Sequence, residues 1–89
     1  MTETKRWNVE IAIDEHGGRT HAVARLRATG TADLRGLGDA RCNPADINVP
    51  QIGDELATSR ALADLAHRLL DTAAADIESV THEAARLRA

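Results

Sequence analysis

Four histidines (His16, His21, His67 and His82) and one cysteine, Cys42, are the residues from which this 89-residue chain could build a metal site or a thiol nucleophile. Their spacing predicts neither. The histidines fall in a turn, on a strand face, on a polar helix face and in the tail, each without a second ligand nearby, and Cys42 has no partner cysteine. His67 with Asp71, and Asp64 with Arg68, are spaced as i,i+4 pairs on a solvated helix face. Ser59 lacks the strand-turn-helix elbow and the adjacent base of a nucleophilic serine, and a hydroxyl at that position can return to the carbonyl of Glu55. Asp54 and Glu55 read as helix-start chemistry, complementing the positive end of a helix dipole. Gly36-Leu37-Gly38 sits inside a strand pattern and opens no helix, so it fails as a dinucleotide-binding turn. No catalytic residue, metal ligand or cofactor site is expected.

One surface does carry a candidate chemistry. Arg19, Arg25, Arg27, Arg35 and Arg41 are expected on one face of a sheet, where guanidinium groups could contact the phosphates of a nucleic acid. Glu10, Asp33 and Asp39 are expected on the same face and turn it toward an ordinary solvated surface. No aromatic stands among these arginines to stack a base, because Trp7 is placed on the core side.

These arginines need strands beneath them. Trp7 to Asp14 alternates cleanly, with Trp7, Val9, Ile11 and Ile13 on one face. Gly17-Gly18 then supplies a two-residue turn with positive φ at both positions, and residues 19–29 alternate again with Ala22, Ala24, Leu26 and Ala28 inward. A tight turn there sets Val9 opposite Leu26, Ile11 opposite Ala24 and Ile13 opposite Ala22. On the outer face it sets Asn8, Glu10 and Asp14 against Arg27, Arg25 and His21. A one-residue slip would bury Arg25 and Arg27. Thr29-Gly30-Thr31 reads as the next turn and residues 33–42 as a third strand, whose file of Gly36, Gly38, Ala40 and Cys42 admits a helix close to the backbone. Asn43-Pro44-Ala45-Asp46 forms a turn, and residues 47–51 connect to a helix near Pro50.

From Ile52 to Val80 the chain has helical periodicity. Ile52, Leu56, Leu62, Ala63, Ala66, Leu69, Leu70, Ala73, Ala74, Ile77 and Val80 fall in one arc, interrupted by Ser59, and the expectation is that this arc lies on the sheet. The predicted fold is α+β: a three-stranded antiparallel sheet over 6–43, a connector over 44–51, one long helix over 52–80 across one face, and a tail over 81–89, all in a single domain 1–89. Such a helix is about 42 Å long and an eight-residue strand about 27 Å, so its last turns overhang one subunit's sheet. Either the helix bends near Thr72 to Ala75 or a second subunit covers the overhang. The expectation is a homodimer.

Composition agrees with that. One Trp, no Phe, no Tyr and many alanines make a core of small side chains, so a partner subunit is an attractive way to bury more apolar area. The formal charge of −3 arises entirely after residue 50, which argues against a general polyanion binder. With one cysteine, no signal-peptide pattern and no membrane-length apolar run, a cytoplasmic protein is expected, without membrane contact or small-molecule substrate.

The segment LRGLGDARCNPADINVPQIGDELATSRALADLAHRLL, followed by DIESVTHEAARL, resembles a family of small actinobacterial proteins of uncharacterised function, some associated with dormancy and hypoxic stress. The likeness runs from about Trp7 to Leu87 and includes Ile13-Asp14-Glu15-His16, Ala24-Arg25-Leu26, Asn43-Pro44-Ala45-Asp46, Gln51 to Leu56 and Thr81-His82. It implies a fold like that of double-stranded-RNA-binding domains (dsRBD-like), an intertwined dimer, and an analogy to ribosome hibernation factors. It offers no catalytic residues. The sequence departs from RNA-binding domains of that fold at Gln51-Ile52-Gly53-Asp54-Glu55, acidic where those domains carry lysines for phosphates. Two readings follow: a non-enzymatic stress or dormancy protein that contacts the ribosome or its rRNA through the five arginines, or a homodimeric protein-interaction module that touches no nucleic acid.

Overall fold

The computed structural model describes residues 2–30, 33–42, 49–82, 85 and 87. Three strands, β1 (Asn8–His16), β2 (Arg19–Arg27) and β3 (Leu34–Arg41), precede one helix, α1 (Pro50–Thr81). The strands form an antiparallel sheet in the order β1-β2-β3, and α1 crosses one face. This is the β-β-β-α architecture expected from the alternation. The turn Asn43–Asp46, the first part of the connector, and Thr31 lie outside the described residues.

The first hairpin has the predicted register at every position. Gly17 and Gly18 both take positive φ, 57° and 77°, the backbone that a two-residue turn needs to match the strands' twist. Val9 pairs with Leu26, Ile11 with Ala24 and Ile13 with Ala22. In the second ladder Ala22 and Ala24 stand opposite Gly38 and Gly36. The covered face is therefore a flat platform of Thr20, Ala22, Ala24 and Leu26 on β2 with Gly36, Gly38 and Ala40 on β3.

On this platform the helix sits by its smallest side chains. The helical residues that become buried are Ala57, Ala61 and Leu65, spaced i, i+4, i+8. A Cβ added to Gly38 would collide with the Ala57 carbonyl, and one added to Gly36 with the Ala61 carbonyl. Helix backbone and strand backbone thus nearly touch, and only small residues fit between them.

This corrects the expected orientation of α1. The arc containing Ile52, Leu56, Leu62, Ile77 and Val80 does not lie on the sheet, and these residues remain exposed, Val80 to 80%. Leu69 and Leu70 are half-buried at its margin. The physical reason is size complementarity: the glycine-alanine floor draws the helix backbone close, which the narrow face of Ala57, Ala61 and Leu65 permits, so the arc richer in Leu and Ile faces outward. Ser59 turns outward with them and its hydroxyl makes no hydrogen bond among the described residues; the hydroxyls of Thr72 and Thr81 make that i−4 bond instead, to the carbonyls of Arg68 and Ile77.

Two boundaries also shift. The helix begins at Pro50, whose missing N–H suits the first turn, so Asp54 and Glu55 lie beyond that turn and do not serve as its acidic complement. It runs through 72–75 as one element and ends at His82, which adopts φ 59° and donates its N–H to the Glu78 carbonyl at 2.7 Å.

The helix spans β2 and β3 and barely touches β1. Its polar flank closes the β3 edge: the Leu37 N–H donates to Asp64 Oδ2 at 2.8 Å, and Arg60 Nη1 donates to the Asp39 carbonyl at 2.6 Å. The Leu37 N–H, followed by the Arg68 guanidinium, holds the Asp64 carboxyl below its ordinary range. The β1 edge has no such cover among the described residues, and Val9 and Ile13 are each over 40% exposed although they face the helix side.

Two outcomes follow. Gly38→Ala forces helix and strand apart and should destabilise the fold by about 3 kcal/mol, read from urea denaturation. A folded state that lowers the Asp64 pKa gains stability above the unfolded value of about 3.9 and loses it as pH falls through the lower folded value. Asp64→Asn should therefore melt below wild type at pH 7, with the gap narrowing at pH 2.5; an equal gap at both would mean that the carboxylate charge contributes nothing.

Candidate functional site

The strand alternation that buries Thr20, Ala22, Ala24 and Leu26 turns Arg19, Arg25 and Arg27 to the opposite, open face of the sheet, and the β3 register adds Arg35 and Arg41. All five predicted arginines thus share one face. They divide between its ends. At one end Arg25 stands across from Arg35, with Arg27 beside them; at the other Arg19 stands across from Arg41. Between the ends run Ala12, Val23 and Leu37, then Asp14, His21 and Asp39.

The first end is neutralised. Arg25 donates from Nε to Asp33 Oδ1 at 3.0 Å and from Nη2 to Oδ2 at 2.9 Å, a two-pronged carboxylate contact. Those bonds lower the Asp33 pKa and raise that of Arg25, the hydrogen bond being the larger cause in each. Arg35 approaches the same carboxylate at 3.9 Å, and Arg27 lies 3.5 Å from Glu10. The expected facing pair of Glu10 with Arg25 is replaced by this diagonal one, because the fork of Arg25 is already taken. All five groups are solvent-exposed, where such pairs contribute little stability.

The second end is not neutralised. Asp39 is engaged by His21, Nδ1 to Oδ1 at 2.8 Å, rather than His21 pairing with Asp14 across the first ladder. The guanidinium groups of Arg19 and Arg41 have no ion-pair or hydrogen-bond partner among the described residues. Arg60 joins them from α1, and together with Asp39 and Ala40 the three arginines line an open cleft of about 380 Å³. Arg60 was absent from the sequence-derived set because its place depends on which way the helix is turned. With Ala57, Ala61 and Leu65 downward, residues 60, 64 and 68 project over the β3 edge.

Of the other candidates, His67 lies 4.0 Å from Asp71 and Arg68 3.1 Å from Asp64, the predicted solvated pairs. No three His, Cys, Asp or Glu side chains among the described residues converge at metal-ligand distances. No helix among them is long and apolar enough to cross a membrane. Trp7 precedes β1, is half-exposed, and flanks a second open cleft with Lys5, Arg6 and Thr29, a cleft that none of the five arginines lines.

Known proteins share this chain's sequence and fold over most of their length. Residues 5–86 match the model of the Rv2632c-like family. An uncharacterized Mycobacterium bovis protein, Mb1767, is 57% identical over 83 residues, covering 93% of this chain and 87% of its own. The uncharacterized Mycobacterium tuberculosis protein Rv2632c is 48% identical over 79 residues, covering 89% of this chain and 84% of its own. The crystal structure of Rv2632c superposes with a TM-score of 0.83 at 46% identity, covering 92% of this chain and 96% of that one. With family match, identity and fold all in agreement over nearly the whole length, the chain belongs to the Rv2632c-like family.

Proposed function

We propose that this protein is a non-enzymatic, cytoplasmic, homodimeric interaction module, acting in the dormancy or stress setting that the family resemblance implies, with a dsRBD-like fold used for association rather than catalysis. The observation that carries this is the apolar surface left by the docking of α1 through its alanine face. Accessible area is 7157 Å², whereas a compact protein of this mass exposes about 5,100 Å². The radius of gyration is 16.7 Å against about 12 Å for a compact chain of this length. The excess, about 2,000 Å² of polar and apolar surface together, is large enough to contain the roughly 800 Å² per partner of a standard interface.

A second copy fits that surface better than an unrelated partner does. The exposed apolar residues are Val9 and Ile13 on β1 and Leu62 with the outward arc on α1, flanking the half-buried Ile11 and Leu69. This surface is continuous with an open strand edge, which a two-fold related strand can extend. An isologous contact needs no additional gene product to bury it.

A ribosome-directed role is the second reading, favoured by the unneutralised arginines at the Arg19 and Arg41 end. The pairing of Arg25, Arg27 and Arg35 with Asp33 and Glu10 weighs against a face-wide phosphate contact and places the self-associating module first.

Sedimentation equilibrium at tens of micromolar should give twice the 9.6 kDa chain mass. Ile13→Asp with Leu62→Asp should return it to the chain mass while the helical circular dichroism persists. A wild-type species of one chain mass overturns the dimer. Cosedimentation with ribosomes at 50 mM salt, weakening at least about tenfold by 200 mM, is expected from the second reading; none at 50 mM excludes it.

A further inference from the structure

The β2–β3 ladder places an arginine opposite an arginine twice, and the two places differ in one respect. Like charges directly opposed on a sheet face are destabilising, and arginine cannot relieve the repulsion by losing its proton. At Arg25 and Arg35 the chain supplies the answer itself: Asp33 reaches both guanidinium groups. At Arg19 and Arg41 no described carboxylate does so. Two acidic residues stand one register step away on this face: Asp39 is held by His21 at 2.8 Å, and Asp14 forms no ion pair with either arginine among the described residues. A third guanidinium, Arg60, is fixed beside this pair by its 2.6 Å bond to the Asp39 carbonyl, and the three line one open cleft.

From this contrast we propose that the Arg19–Arg41–Arg60 cleft is an anion site whose ligand is a phosphate group, occupying the place that Asp33 fills at the other end of the ladder. Guanidinium forks match the oxygens of phosphate in pairs, and three of them converging from two strands and a helix can engage one tetrahedral anion from different sides. Asp39 lines the same cleft, with its carboxylate taken by His21 and its carbonyl by Arg60, so the anion sits toward the arginines, on the side away from the His21 contact. The site requires neither the dimer nor the ribosome, since all three arginines come from one chain.

Free phosphate and the phosphodiester of an RNA strand present the same chemistry, and two titrations separate them. The full-length ¹⁵N-labelled protein is titrated at constant ionic strength with inorganic phosphate and, separately, with an eight-nucleotide oligouridylate, following the arginine Nε–Hε resonances. The resonances of Arg19, Arg41 and Arg60 should move together and saturate with one dissociation constant, while those of Arg25 and Arg35 stay in place. Arg41→Gln should weaken binding about tenfold. Tighter binding of the oligouridylate by about tenfold or more assigns the site to a strand phosphate, and comparable affinities assign it to a free one. Shifts that never saturate, shifts shared equally by Arg25 and Arg35, or unchanged affinity in Arg41→Gln overturn the site. Translational diffusion of the same samples reports the association state, so loss of the dimer is not mistaken for loss of the anion.

Discussion

The approach of the α1 backbone to β3 across Gly36 and Gly38 is the constraint on which the rest of this molecule depends. Ala57 and Ala61 can rest on those glycines only because neither side presents a branched side chain there. The resulting core is thin, made of alanines with Leu26 and Leu65 at its margins, and no large side chain is fully buried in it. A core of this kind gains stability from tight packing rather than from apolar area per residue. Having excluded the bulky residues from the sheet contact, it also presents them on the far side of the helix.

That displacement links the fold to its proposed use. The same rotation of α1 brings Asp64 and Arg60 over the β3 edge, where they satisfy backbone groups and leave that edge closed to strand addition. The β1 edge stays open, next to the exposed side chains of Val9 and Ile13. One helix orientation therefore sets which edge is blocked, which apolar surface stays exposed, and which arginine joins Arg19 and Arg41.

The hairpin register was legible because two independent signals coincide in it: a Gly-Gly turn that only a tight hairpin explains, and an alternation in which every inward residue meets an apolar partner. The face that α1 lays on the sheet was not legible by the same logic. Periodicity ranks positions by hydrophobicity, and the Ile52–Leu56–Leu70–Ile77 arc outranks Ala57–Ala61–Leu65 on that scale. The deciding quantity was side-chain volume against a glycine floor, and the floor itself was visible at Gly36 and Gly38. Applied to the helix, the small-residue argument would have chosen the alanine face. The arginine set was read correctly as to face, since strand parity decides it. Its division into a neutralised and an unneutralised end depends on where Asp33 and Asp39 point, which spacing does not encode.

The central claim is that α1 contacts its own sheet through Ala57 and Ala61 and a second copy through the larger apolar arc. Isotope-filtered nuclear Overhauser spectroscopy on an equimolar mixture of ¹³C-labelled and unlabelled protein separates these contacts directly. The account predicts intermolecular effects at the Leu62, Leu70 and Ile77 methyls and none at the Ala57 and Ala61 methyls; intermolecular effects at the two alanines, or none at the three larger residues, would contradict it.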